Sequence, residues 1–313
     1  MAAILLLPKK ALNSKILKAL LVPSRRIRSF LKQGLCRFRE NVREGSTRPN
    51  FPWPKGIAGD PDLLKESAGQ EGIITPRKGK GDPHLGPDAL MVMIPSELRY
   101  LAGAIRAASV PFSDGDLYKL YLSRPQTGPP ITLCGPFLGA PQAVMGMERL
   151  IALGARRIWV LGWCGSIKPG LGIGDIVIPE SALSEEGTSA HYPIGDRPVR
   201  SDLKLNRMLE SALKQGGVPF SMGPVWTTDA PYRETPEKVK TYADLGVLAV
   251  EMEMSALMTV ALYRSVAMAG LLVVSDELFD LKWRRGFSDP SLRQSSRAAG
   301  RVLLTVAFPS IAI

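Results

Sequence analysis

From residue 89 to the C-terminus, short apolar runs alternate with stretches whose apolar residues recur at helical spacing. That alternation is the tightest constraint on what the chain can fold into. The runs at 89–94, 131–134, 158–161, 175–178, 247–250 and 271–274 are strand candidates. Helices are expected over 97–108, 202–215, 255–263 and 291–307. Another opens at Pro141, because proline suits a first helical position. Its apolar residues Val144, Met147, Leu150 and Ile151 keep helical spacing, and Gly154 closes it. Strands that alternate with helices and read as buried runs imply an α/β fold around a mainly parallel sheet. No internal repeat is visible.

Charge separates the chain into two parts. Residues 1–56 carry 13 Lys/Arg against 2 Asp/Glu, which accounts for the whole net charge of +11. The rest, with 27 of each sign, is neutral. Basicity therefore belongs to a tail and gives the body no nucleic-acid signature. The tail reads as a poorly ordered extension or an early start codon, with a leader or a contact to an acidic partner as the alternative. Residues 1–70 are expected to be basic extension and linker, poorly ordered, and 71–313 the catalytic domain. No apolar run approaches the roughly 20 residues a membrane helix needs, so no membrane partner is expected. Three cysteines, Cys36, Cys134 and Cys164, are too few and too odd for a disulfide framework, so a reducing, cytoplasmic setting is expected. With two histidines and no Cys/His cluster, a metal site is not expected.

Chemistry is concentrated at three strand ends. The run at 158–161 meets Gly162-Trp163-Cys164-Gly165, the run at 247–250 meets Glu251-Met252-Glu253, and the run at 271–274 meets Ser275-Asp276. In open α/β sheets, ligands bind beyond the carboxyl ends of the strands, so these three should converge on one edge. Glycines there let backbone N–H groups approach a ligand. A carboxylate grips a vicinal diol such as a ribose with two hydrogen bonds. An acid beside apolar strands is raised in pKa and can deliver a proton. Glu251 is read as an acid at a helix N-terminus, a structural role. The glycines of 170–174 are too loosely spaced for a dinucleotide fingerprint.

Four blocks in order, PHLGPDALMVMIPSELRYLA, GAPQAVMGMERLIALGARRIWVLGWCGSIKPGLGIGDIVIPESALSEEGTSAHY, TTDAPYRETPEKVKTY, and VEMEM followed by VVSD, resemble the hexameric type of purine nucleoside and uridine phosphorylases. Nucleosidases belong to the same superfamily. The resemblance spans roughly residues 80–300. It implies a three-layer α/β fold with a central mixed, barrel-like sheet flanked by helices. It implies that Glu253 holds the ribose hydroxyls, that Met252 packs on the sugar, and that Asp276 protonates a departing purine. It makes His84 a residue that reaches a neighbouring subunit's ribose, the alternative being an exposed loop residue. Thr228, Val250, Cys164, Gly165 and Ser275 would line the base. The family's stacking aromatic falls on Pro231, which leaves Tyr232 as a substitute.

On the nucleophile's side the chain departs from the family. Arg99 matches one phosphate-binding arginine, and Gly139 and Gly162 supply candidate N–H donors. Yet Pro95 replaces a loop glycine, Val160 replaces an arginine, and Trp163 replaces a small hydroxyl residue. Glu97 is near the nucleosidases' water-positioning position without matching it. Arg284, Arg285 and Arg293 are candidate replacements for the missing charge. The expected reaction is cleavage of a nucleoside's N-glycosidic bond by phosphorolysis, with no cofactor and phosphate as co-substrate. Hydrolysis by water, or nucleoside binding without catalysis, are the alternatives. A homo-oligomer built from dimers, up to a hexamer, is expected from the resemblance.

Overall fold

The computed structural model describes residues 72–111, 117–126 and 128–309. The basic segment, residues 1–56, lies outside the described residues. In chain order the elements are β1 (Asp88–Val92), α1 (Pro95–Ala104), β2 (Ala108–Val110), β3 (Lys119–Ser123), β4 (Ile131–Gly135), α2 (Ala140–Ala152), β5 (Arg157–Ser166) and β6 (Ile176–Glu185). There follow α3 (Leu203–Gln215), β7 (Phe220–Thr228), α4 (Pro236–Asp244), β8 (Ala249–Glu251), α5 (Met254–Arg264), β9 (Ala267–Glu277), β10 (Arg284–Arg285) and α6 (Pro290–Ala307).

The ten strands form one sheet, ordered β10-β9-β6-β7-β8-β5-β1-β4-β3-β2. A further pairing of β9 with β5 closes β5, β9, β6, β7 and β8 into a barrel. The sheet is mixed: β5 runs parallel to β1 and β9, and antiparallel to β8. β5 and β9 are apolar for a physical reason. Ile158 and Val160 enter one core with Met268, Leu272 and Val274. Trp159 and Leu161 enter a second core with Ala269, Leu271 and Val273. Strands buried on both faces need apolar residues at every position, so their sequence loses the alternation of a half-exposed strand.

The helices obey local signals. α2 carries its proline in the first turn and buries Val144, Met147 and Leu150. α6 is capped by Asp289, which accepts from Ser291 N at 2.9 Å, and it lays Leu292, Ala299, Leu303 and Leu304 on the second core. α5 is buried from Met254 to Ala261, so it has almost no polar face.

Some expectations are corrected. The helix expected to reach 108 stops at Ala104, where Arg106 at φ 51° turns the chain into edge strand β2. β7, with Gly223 and Pro224 in its sequence, was not expected. Its proline falls where the β6–β7 register shifts, between Pro179 and Ser181, and such irregularities tolerate a missing donor. No helix among the described residues is long and apolar enough to cross a membrane.

Candidate functional site

The three strand ends do converge. Gly165 of β5 is in register with Val250 of β8 on one side and Asp276 of β9 on the other. Around them lies a cavity of about 520 Å³. Its wall includes Trp163, Cys164 and Gly165, then Val250 to Glu253, then Ser275 and Asp276. The loops after β1 and β4 add Ile94, Pro95, Phe137 and Leu138. Pro231, Tyr232 and Glu234 close another side, and Trp283 and Phe287 stand beyond β9.

Glu253 is positioned by the turn from β8 into α5. Its neighbour Glu251 makes that turn possible. One Glu251 oxygen accepts from the backbone N–H of Glu253 and of Met254, both at 2.7 Å. The other accepts from the Thr227 hydroxyl. Glu251 therefore ties down free donors at the start of α5, the structural role read from the sequence. Glu253 accepts from Gly139 N at 2.6 Å, and Gly139 has the positive φ of 81° that aims its N–H inward at the start of α2. Burial, followed by the adjacent Glu251 carboxyl, pushes Glu253 well above the usual carboxylate range. A diol donating to this carboxyl supplies the hydrogen bonds that favour its ionised form.

Asp276 owes its direction to an irregularity. The β5–β9 register skips a residue, so that Cys164 faces Val274 while Gly165 faces Asp276. Ser275 is the extra residue. As a result Ser275 and Asp276, consecutive in sequence, both line the cavity, whereas a regular strand sends neighbours to opposite faces. Asp276 Oδ1 lies 2.7 Å from the Ser275 hydroxyl, and Oδ2 accepts from Trp283 Nε1 at 2.8 Å. A Cβ on Gly165 would come within 3.1 Å of Asp276 Oδ2 and 2.6 Å of Leu278, so the strand must carry glycine there. Burial pushes the Cys164 thiol up, which leaves it an inert part of the wall.

Of the residues expected at the site, Asp276, Glu253, Met252, Tyr232, Val250, Cys164, Gly165 and Ser275 meet around this cavity. Tyr232 is 94% exposed at its mouth. Five others do not line it. Thr228 is buried, its hydroxyl accepting from Ala230 N at 3.2 Å. Gly139 spends its N–H on Glu253. Gly162 is packed within β5 against Leu272 and Met93. Arg99 is exposed on α1. His84 is exposed beside Gly154, just beyond the far end of α2 from Gly139, which 13 helical residues place roughly 20 Å away.

Among the described residues, the cavity wall carries no cation. None of the residues that line the cavity is Lys, Arg or His, and four are acidic: Glu234, Glu251, Glu253 and Asp276. Trp163 stands there, its indole N–H donating to Ser296 of α6 at 2.9 Å and its ring 6.1 Å from Phe287. Arg284 pairs with Glu277, and Arg285 stacks over Trp283. Glu97 is 3% exposed and does not line the cavity. Burial raises its carboxyl, against the pull of Arg297 and Arg293. Sequence reasoning missed Glu234, which lies within the quoted block TTDAPYRETPEKVKTY but carries no role there, and Trp283, which lies in an irregular segment outside every quoted block.

This fold, with paired acids at the ends of β8 and β9, defines a class. The model of the phosphorylase superfamily matches residues 88–307, and the chain belongs to that superfamily. Within it, the chain is 27% identical over 170 residues to a guanosine phosphorylase of Halorubrum lacusprofundi, covering 54% of this chain and 70% of that protein. It is 32% identical over 154 residues to a DeoD-type purine nucleoside phosphorylase of Caldanaerobacter subterraneus subsp. tengcongensis, covering 48% of this chain and 66% of that protein, just short of two thirds of its length. The solved purine nucleoside phosphorylase of Toxoplasma gondii in complex with immucillin-H shares the fold, with a TM-score of 0.66 and 21% identity over 76% of this chain and 96% of that one. The uridine phosphorylase of Vibrio fischeri does so with a TM-score of 0.64 and 20% identity, over 72% and 93%.

Proposed function

We propose that the chain cleaves the N-glycosidic bond of a purine nucleoside by phosphorolysis, giving free base and ribose 1-phosphate. The observation that carries this reading is the pair Glu253 and Asp276, delivered by separate elements to one cavity. Glu253 holds the ribose diol and offsets the positive charge of an oxocarbenium-like transition state. Met252 packs on the sugar, and Val250, Cys164, Gly165 and Ser275 form the base wall. Asp276 neutralises charge that develops on the departing base. Relatives named as purine nucleoside and guanosine phosphorylases support phosphate as the nucleophile. Arg99 would have to move to reach it, and His84 would act in a neighbouring copy of a homo-oligomer.

A second reading, hydrolysis by water, is favoured by one specific feature: no cation among the described residues lines the cavity. A phosphate dianion taken from water needs charge-assisted partners. Release of free base from inosine, adenosine and uridine, with and without phosphate, tests both readings. Phosphate-dependent release from the purine nucleosides is expected. Release that ignores phosphate replaces the first reading with the second, and no release from any nucleoside sinks both. Asp276→Asn should lower purine cleavage while leaving ribose binding intact.

A further inference from the structure

Trp283 is an exposed aromatic with a specific bond into the cavity. Its side chain is 56% exposed, yet its indole N–H donates to Asp276 Oδ2 at 2.8 Å. The hairpin after β9 aims it. Leu281, at φ 58°, turns the chain, and β10 returns antiparallel with Arg284 opposite Glu277 and Arg285 opposite Asp276. Gly286 N closes the return on Ser275 O at 2.8 Å. Arg285 lies over the indole at 5.3 Å, and the Phe287 ring meets it edge-on at 6.3 Å. The other carboxyl oxygen, Asp276 Oδ1, lies 2.7 Å from the Ser275 hydroxyl, which also has the Cys164 carbonyl 3.2 Å away. One hydroxyl proton serves only one of these two acceptors at a time. In a protonated carboxyl the C=O oxygen is the better acceptor and the other oxygen carries the proton. An N–H held on Oδ2 therefore leaves the acid proton on Oδ1. There it donates to the Ser275 oxygen, whose own proton turns to Cys164 O.

We propose that Trp283 is a positioning residue for proton delivery: its N–H assigns the acid proton of Asp276 to Oδ1 and supports the carboxylate left behind. This rests on the nucleoside-cleaving reading above. When the base arrives, the proton on Oδ1 turns from Ser275 to a base nitrogen. The C1′–N bond breaks, its electron pair leaves with the base, and the proton passes from Oδ1 to that nitrogen. The nucleophile, phosphate or water, forms the new bond to C1′, and water gives up its spare proton to solvent. Asp276 is left as a carboxylate with two donors: the indole N–H on Oδ2 and the Ser275 hydroxyl, turned back, on Oδ1. A hydrogen bond to an ion is about twice as strong as one between neutral groups, so the indole bond strengthens while the proton leaves. A contact that is stronger in the transition state than in the ground state lowers the barrier. Asp276 then recovers a proton from solvent.

Trp283→Phe keeps an aromatic ring beside Arg285 and Phe287 and removes the N–H. At so exposed a position its melting temperature should match that of the unaltered chain. Its kcat for guanosine should fall by about tenfold to a hundredfold, the worth of a hydrogen bond to a charged group. Its KM should change by less than about threefold, because the lost contact acts on the transition state. 7-Methylguanosine isolates the proton. Its imidazole ring is already positive, so its base leaves without an added proton, and its kcat should fall by less than about threefold. Equal losses of kcat on the two nucleosides, a loss confined to KM, or no loss on guanosine overturn the assignment and leave the nucleoside reading in place. The split between kcat and KM on guanosine decides alone if the methyl group bars the second nucleoside. If the unaltered chain cleaves neither nucleoside, the nucleoside reading itself falls and the assignment with it.

Discussion

Gly146, in the middle of α2, offers the most direct test of how packing holds the site. On the solvent face of a helix, Gly→Ala should stabilise by about 1 kcal/mol, because alanine has the higher helix propensity. Here the surroundings reverse the sign. A Cβ built on Gly146 would lie 2.3 Å from Phe137 Cε1 and 2.5 Å from Phe137 Cζ. Carbon atoms in contact sit about 3.5–4.0 Å apart, so the ring must retreat by more than 1 Å, by that same measure. It has little room, being 3% exposed with the buried Tyr118 ring 5.0 Å away. Overpacking of this kind costs about 1–3 kcal/mol. Set against the propensity gain, the net is a loss of about 0–2 kcal/mol, or up to several degrees in melting temperature for a domain of this size. The kinetic effect should be larger than the thermal one. Phe137 and Leu138 line the cavity, and the next residue, Gly139, donates to Glu253. A displaced ring pulls that N–H away from the carboxyl. Thermal melts and steady-state kinetics on Gly146→Ala read both effects. A variant that melts higher and turns over unchanged would refute the coupling of Gly146 to the site.

Three further predictions concern single groups. Glu251→Ala should destabilise by about 3 kcal/mol or more, since it strands the buried donors of Glu253, Met254 and Thr227 at about 1–3 kcal/mol each; chemical denaturation measures it, and a loss below about 1 kcal/mol would deny Glu251 its capping role. Burial raises the folded-state pKa of Glu253 above the ordinary value of 4.5. The folded chain therefore keeps a proton that the unfolded chain releases, and stability should fall as pH rises from about 4.5 through the neutral range. Melts between pH 5 and 8.5 should show that fall, and Glu253→Gln should flatten it; an unchanged slope would place the titration elsewhere. Trp163→Ser removes a half-buried indole bonded to Ser296, at a cost of about 2–4 kcal/mol by analogy with large-to-small core changes. It should also raise the rate obtained at low phosphate, and identical phosphate dependence in the two proteins would show that the indole does not occupy the nucleophile's place.

The sequence revealed the elements that are buried on every side. β5, β9 and α5 bury nearly all their residues, so their apolar runs had no other explanation. Glu253 and Asp276 stood out because carboxyls end the apolar runs of β8 and β9. What stayed hidden was set by pairing over long sequence distances. The closure of β9 on β5 joins segments more than a hundred residues apart, and no local pattern encodes it. β7 was masked by its own Gly223 and Pro224, whose tolerance depends on a register shift in a neighbouring strand. Glu234 and Trp283 lie in turns, where neither spacing nor periodicity distinguishes a wall residue from a solvated one.

The extra residue at Ser275 has a consequence for how such a site can change over time. Where a side chain's direction is set by the number of residues that precede it, exchanging one amino acid for another tunes chemistry but leaves aim untouched. Losing Ser275 would restore a regular ladder between β5 and β9 with Asp276 still opposite Gly165, and would take only the second polar side chain out of the chamber. A residue gained or lost earlier in β9 would instead change which side chain meets Gly165. The length of this strand therefore decides which groups reach the chamber, and a designer who idealised the sheet would halve its polar edge by tidying it.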